Sequence, residues 1–296
     1  MRRHRQYGLV PALLVAVCAS VLSRARETDE FTFSCVPLTI QRSDPIVSPG
    51  EPSTHAHAVA GGTAFQRTMA ITAAKNARET TCGVEADKSN YWIPQLYHRM
   101  HNGFFELVKF EGSRAISHMC MKQDGSSTET KQLPKQGCSK LRSQVFMPSC
   151  WDGANLDSID HKSHMAYPAI GDYNKGVCPE THPVAIYSIF LEFFFNTQPF
   201  PDYENWVYSM GDMTGYGLHG DFVNGWADQE ALQKALETCT TQKGLLDSNC
   251  SITKTQKRSL TPLIQTLEVQ EPEEELGQHG TLAKLPGNNP VTGALR

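Results

Sequence analysis

Between Phe31 and Cys250 the apolar residues come in short runs separated by turn-forming clusters. FTFSCVPLTI, GFFELVKF and HPVAIYSIFLEFFF are rich in Phe, Ile, Val and Tyr, side chains that suit a pleated, half-buried surface. DPIVSPGEPS, AVAGG, WDGAN, GDYNKG, NTQPFPD and MGDMTGYG punctuate them with residues that form turns. The third run is nearly all apolar from Val184 onward. Its aromatic and β-branched content, with Pro- and Gly-rich flanks, predicts a central strand covered on both faces. Glu192 then falls among bulky apolar neighbours, where a carboxylate is paired, ligated or protonated unless it faces a solvated groove. Helical periodicity is clear in ADQEALQKALETC, Ala227 to Cys239, with Leu232, Ala235 and Leu236 on one face and Asp228 placed as its cap. FQRTMAITAAKNARE, Phe65 to Glu79, has the propensity for a second helix. No internal repeat and no long linker divides the region. The pattern predicts a mainly β fold, a single β-sandwich or jelly-roll-like domain with helices in its connections.

The two ends of the chain differ from this middle. MRRHRQYG followed by the apolar run LVPALLVAVCASVL has the layout of a signal peptide, expected over residues 1–23, and the run is too short to span a bilayer. Export makes the cysteine count informative. With Cys18 removed, Cys35, Cys82, Cys120, Cys138, Cys150, Cys178, Cys239 and Cys250 remain, an even set without a CxxC pair, which reads as disulfides in a secreted, extracellular protein. Short loops favour Cys239 with Cys250, then Cys120 with Cys138 and Cys150 with Cys178. With Arg2, Arg3 and Arg5 also gone, 24 basic residues face 31 acidic ones, so nucleic acid is not an expected partner. The acids concentrate in EVQEPEEEL within residues 252–296, a segment poor in aromatics that is predicted to be a disordered acidic tail.

Histidine is the unusual part of the polar inventory. STHAHAVAGG sets His55 and His57 two residues apart, which in an extended strand puts both rings on one face. WDGANLDSIDHKSHMAYP holds His161 and His164, one turn apart if the backbone is helical there. GYGLHGDF offers His219 and Asp221. Gathered by folding, these groups supply enough imidazoles for a divalent metal, copper or zinc, with Asp160 and Asp221 to orient them. His55, His57 and His161 are the first-choice ligands, with His164 and His219 as alternates. The plainer reading is that each pair is an ordinary surface or hydrogen-bonding pair, since no HExxH string is present. A metal-free route pairs a histidine with Tyr167, Tyr91 or Tyr216 for acid/base cleavage of an acidic polysaccharide. Asp152, Asp157 and Asp160 form a third candidate set, of the paired-acid kind used on glycosides, although Asp beside Gly and Asn is commonly turn chemistry. Trp92, Trp151, Trp206 and Trp226 could stack on sugar rings, but core packing is the commoner role. Gly215, Gly217 and Gly220 spell GxGxxG without a βαβ context and read as tight turns rather than a dinucleotide loop.

LTIQRSDPIVSPGEPSTHAHAVAGGTAF, DKSNYWIPQLY, FMPSCWDGANLDSIDHKSHMAYP, CPETHPV and GYGLHGDFVNGW resemble the successive signature blocks of DUF1996, a domain of secreted fungal and some bacterial proteins. The likeness runs from about Phe31 to Cys250, which sets the expected domain at residues 31–251. Because that domain is sometimes joined to sugar-binding WSC modules, the resemblance implies a cell-wall or carbohydrate setting. It places His55, His57, His161, His164, His219 and Asp221 within signature blocks without assigning them a role. The sequence departs from the family between Phe110 and Cys120, where only EGSRAISHM intervenes and a longer stretch is usual, so one or more strands are expected to be missing. The function expected from residues and resemblance together is a metal-dependent enzyme acting on extracellular or cell-wall polysaccharide. A non-catalytic glycan-binding protein and a metal-free His/Tyr lyase stay open beside it.

Overall fold

A computed structural model describes residues 31–70, 72–112, 115–171, 176–240, 244–252, 272 and 274–293; the expected signal segment lies outside the described residues. In chain order the strands are β1 (Pro37–Gln41), β2 (His57–Gly61), β3 (Asn90–Pro94), β4 (Leu96–Arg99), β5 (Phe105–Leu107), β6 (Phe110–Gly112), β7 (Ala115–Met121) and β8 (Ser127–Thr130). They continue with β9 (Lys140–Phe146), β10 (Cys150–Trp151), β11 (Met165–Ala166), β12 (Val184–Ala185), β13 (Phe190–Phe195), β14 (Trp206–Tyr208) and β15 (Asp221–Val223). The fold is mainly β, with antiparallel sheets of order β1-β2-β3-β15, β6-β13-β9-β7-β8, β14-β4-β5 and β11-β10-β12.

Alternation along the strands decides what lies between the layers. Ala58 and Ala60 on β2 and Tyr91 and Ile93 on β3 share a core with Leu141 and Val145 on β9 and Leu191 and Phe193 on β13. The four-stranded and five-stranded sheets therefore pack face to face as a sandwich. The opposite face of the four-stranded sheet carries His57, Val59, Trp92, Asp221 and Val223; Val59, Trp92 and Val223 pack there with Phe65, Ala74 and Ile46 from the covering loops. Gly61 closes β2 at φ 110, where a Cβ would stand 1.8 Å from the Ser89 carbonyl oxygen; only glycine lets β2 and β3 approach this closely.

The long apolar run divides in two. Val184–Ala185 joins the small outer sheet, while Phe190–Phe195 lies between β6 and β9, as a central strand should. Glu192 has its partner, with Arg142 Nη1 2.7 Å from its Oε1. The helix α1 (Gln229–Thr238) forms where periodicity places it, and the Asp228 side chain accepts from the Ala231 N–H. Among its described residues, the stretch from Phe65 to Glu79 has no α-helix and holds one short 3₁₀ turn, Ala74–Asn76. Phe65 and Ala74 are drawn into the core on the outer face of the sheet, and that packing overrides a moderate propensity. Four disulfides join Cys35 to Cys82, Cys120 to Cys138, Cys150 to Cys178 and Cys239 to Cys250.

Of the expected tail at 252–296, residues 253–271, 273 and 294–296 lie outside the described residues. Residues 274–293 lie against the domain rather than forming a disordered tail: Leu276 and Leu285 are buried, and the Tyr97 hydroxyl donates to the Leu276 carbonyl at 2.7 Å. Leu285 joins Tyr97, Phe105, Val207 and Met213 in a small core of its own. The acidic run at 268–275 is followed by Leu276 and Leu285, and burial of those two leucines drives the docking.

Candidate metal centre

His57 opens β2, and its neighbour two residues back, His55, lies in the turn that leads into that strand. His219 lies two residues before Asp221, the first residue of β15. These strands flank β3, with Val59 and Asp221 both opposite Trp92, so the three imidazoles meet at the same end of the sheet and on its outer face. The His55 and His57 ring centroids are 4.3 Å apart and those of His55 and His219 5.1 Å apart. One nitrogen from each of the three lies within 4.8 Å of the others.

The hydrogen bonds behind the rings show which nitrogens face inward. His57 Nδ1 donates to the Ser43 carbonyl at 3.1 Å and His219 Nδ1 to the Gly217 carbonyl at 2.8 Å, because a carbonyl can only accept. Both rings thus present a bare Nε2. His57 Nε2 is buried and has no hydrogen-bond partner. His55 Nε2 lies 3.2 Å from His219 Nε2, and its Nδ1 lies 3.1 Å from the Thr54 hydroxyl. Without a cation, His55 must carry its proton on Nε2 and accept from Thr54; moving that proton to Nδ1 turns Thr54 into the acceptor and frees a third lone pair. Each imidazole then has an oxygen behind it holding its tautomer, the arrangement typical of metal-ligating histidines.

The electrostatics agree with neutral rings. Burial, with the neighbouring imidazoles, pushes His55 down to about 2 and His57 down to about 3. Burial lowers His219 as well. Asp221 moves the other way, pushed up to about 7 by burial and then by the nearby charge of Asp44; its Oδ2 is buried without a partner. Lys162 lies close enough for its charge to act on both His219 and Asp221. Three unprotonated imidazoles can hold a divalent cation and leave a position open beside it, with the Asp221 carboxyl group and the exposed Lys162 ammonium in the surroundings.

The opening loop of the motif WDGANLDSIDHKSH takes another role. It is the tip of a hairpin between β10 and β11 and binds mainly to itself. His161 Nδ1 lies 2.9 Å from Asp157 Oδ1, and His164 Nδ1 lies 3.0 Å from the Ser158 hydroxyl. Neither ring belongs to the three-imidazole group, so His161, expected as a first-choice ligand, and His164 lie apart from that cluster. Asp160 does not orient a ligating imidazole either: its Oδ1 accepts from the Lys162 and Ser163 N–H groups and from the Ser158 hydroxyl. Asp152 caps Ala154 and Asn155 in the same way. Hydrogen bonds hold Asp152, Asp157 and Asp160 below the usual carboxylate range, so these three acids serve turns and stay ionised. Tyr167 donates to the Phe146 carbonyl, Tyr91 to Asp87 inside the sandwich, and Tyr216 to Gln132. Trp92, Trp206 and Trp226 are buried; Trp151 alone of the four retains exposure.

Sequence reasoning missed Thr54, Lys162 and Asp44; the Asp44 charge acts on His55, His219 and Asp221. Thr54 directly precedes the HAH motif, a signal that was present but unremarkable; Lys162 is brought in by the hairpin, which no local pattern announces.

The model of the family described as "Domain of unknown function (DUF1996)" matches residues 44–115 and 109–226. The chain belongs to the DUF1996 family. Its match covers all three clustered histidines and Asp221, so the centre lies within the DUF1996 part of the chain, whereas residues 274–293 lie beyond it. The two matched stretches meet at 109–115, the place where the sequence is shorter than the resemblance leads one to expect. No curated protein and no solved structure matches this DUF1996 chain. Four disulfides fit a secreted or extracellular protein, and no helix among the described residues is long and apolar enough to cross a membrane.

Proposed function

We propose that this DUF1996 domain is a metal-dependent enzyme acting on extracellular or cell-wall polysaccharide, with a single divalent cation held by His55, His57 and His219. One observation carries the reading: three buried or half-buried imidazoles point lone pairs at a common space while an oxygen stands behind each ring. An unpartnered buried acceptor costs roughly 1–3 kcal/mol, and a fold that keeps His57 Nε2 in that state recovers the cost when a cation binds. Zinc and copper both suit an all-imidazole set. The cation would supply Lewis acidity or an activated water. Asp221 is the group to hold or accept a proton beside it, and Lys162 the group to bind a negative or hydroxyl-bearing part of the substrate at the rim.

Metal analysis of purified, tag-free protein tests this. The expectation is one equivalent of zinc or copper, retained through dialysis and lost in His57→Ala, together with release of soluble sugar from wall polysaccharide that stops when the metal is removed. Protein that binds no metal but retains polysaccharide in a pull-down, with no sugar released, makes the domain a glycan binder. Unsaturated uronic products formed without metal make it a lyase.

A further inference from the structure

His55 differs from the other two ligands in how it is held. His57 and His219 each lean on a backbone carbonyl, and His57 is itself part of β2. His55 lies outside any strand and rests on a rotatable hydroxyl, that of Thr54. Its position therefore depends on where the backbone of residues 53–56 is fixed.

That backbone is gripped from the C-terminal segment. Asn289 Nδ2 donates to the Thr54 carbonyl at 2.8 Å, and the same amide bonds the Ser209 and Pro286 carbonyls at 3.0 and 2.8 Å. Gly287 passes Thr54 so closely that a Cβ would stand 1.9 Å from its carbonyl oxygen, and its φ of 78 excludes most other residues. Ser209, tied to Asn289, donates through its hydroxyl to the Ala56 carbonyl at 2.6 Å. At the far end of the segment, Glu274 pairs with Arg42 at 3.1 Å, and Arg42 Nε donates to the Ser53 carbonyl at 2.7 Å. Residues 53, 54 and 56 are thus held by contacts that lead back to residues 274–293. The segment has anchors of its own, with Leu282 and Phe105 exchanging backbone hydrogen bonds at 2.8 and 2.7 Å and Thr292 N–H bonding the Gly211 carbonyl at 2.7 Å.

We propose that residues 274–293 are a strap that completes the metal centre, with Asn289 as a positioning residue that sets His55 through Thr54. The inference rests on the metal reading above and extends it, because the strap lies outside the part of the chain that the family model matches. An imidazole without its outer support loses the geometry that makes it a good ligand, and loss of such support commonly weakens metal binding 10–100-fold. A contact one residue further out belongs at the low end of that range.

The test uses the full chain, with cobalt(II) as a spectroscopic probe and zinc affinity measured by competition with a chromophoric chelator. In Asn289→Ala the zinc dissociation constant should rise about tenfold and the cobalt absorption bands should shift. Gly287→Ala, which pushes the strap off Thr54 by a different route, should move both in the same direction. Asp228→Ala removes a helix cap in a separate core cluster; it should lower the unfolding midpoint and leave affinity and spectrum unchanged, separating positioning from general loosening. Unchanged affinity and spectrum in Asn289→Ala, with wild-type binding abolished by His57→Ala, overturns the strap and leaves the metal centre standing. Wild-type protein that takes up neither ion overturns both. A loss in Asn289→Ala no larger than that in Asp228→Ala also overturns the strap.

Discussion

A carboxyl group set in a run of phenylalanines is paired, ligated or protonated unless a groove solvates it, and Glu192 pairs with Arg142, whose Nη1 comes within 2.7 Å while Glu192 keeps only 6% of its side-chain surface exposed. The requirement was legible from FLEFFF; the partner was not, because β9 and β13 are brought side by side only by the sheet order. Breaking a buried ion pair from one side leaves the other charge stranded, at a cost of roughly 3–5 kcal/mol. Arg142→Met should therefore lower stability by about 3 kcal/mol in urea unfolding, and adding Glu192→Met should restore most of it; a double variant no more stable than the single one refutes the pairing as the source of the loss. The histidines divide in the same way. Two residues apart at the mouth of a strand, His55 and His57 were readable as one face, and their rings do meet at 4.3 Å. That the third imidazole comes from His219 rather than His161 depends on β15 closing the sheet beside β3, a long-range pairing with no local mark.

At the scale of elements, the hairpin tip between β10 and β11 shows why a dense polar motif is a poor guide to a site. Asp152, Asp157, Ser158 and Asp160 spend their oxygens on the loop's own N–H groups and on its two histidines. Such local side-chain-to-backbone bonds are what Asp, Ser and Asn do in turns, and the disulfide from Cys150 to Cys178 ties the base of the hairpin. His161→Ala and His164→Ala should accordingly leave metal stoichiometry at that of the wild type, whereas His219→Ala should abolish it; metal lost from either hairpin variant would return those rings to the ligand set. Strands with a strong apolar signal and the capped helix α1 were legible because local preference and packing agree there. The segment from Phe65 to Glu79 and the C-terminal strap were not, since a few buried side chains in each, Phe65 and Ala74 or Leu276 and Leu285, outweigh the composition around them.

Among the described residues, burial lowers four imidazoles: His55, His57 and His219 at the centre, and His118 in the sandwich, where its Nε2 meets the Tyr208 hydroxyl at 3.0 Å. Burial pushes His118 down to about 4. The unfolded chain protonates a histidine near pH 6.5, so below that value the unfolded state binds protons that the folded state refuses. Stability must then fall as pH drops from about 6.5 towards 4, by roughly 1.4 kcal/mol per pH unit for each of His55, His57 and His118, with His219 contributing in the same direction. Asp221, held protonated in the fold up to about 7, acts with the opposite sign, since the folded state binds its proton where the unfolded chain has released it. Asp87, also raised by burial, acts in the same sense as Asp221, but two acids against four histidines still leave the net loss running towards low pH. Above pH 7 the four histidines and Asp221 share one protonation state in both forms, and their contribution is flat. Urea unfolding of metal-free protein at pH 7.5, 6, 5 and 4.5 should show this slope, and His118→Gln should reduce it by about one proton while leaving the three-imidazole centre untouched. His118 alone accounts for about 3 kcal/mol by pH 4 on this reasoning. A variant whose stability falls with pH as steeply as the wild type would mean that His118 already takes up its proton inside the fold, with Tyr208 turned to accept from it.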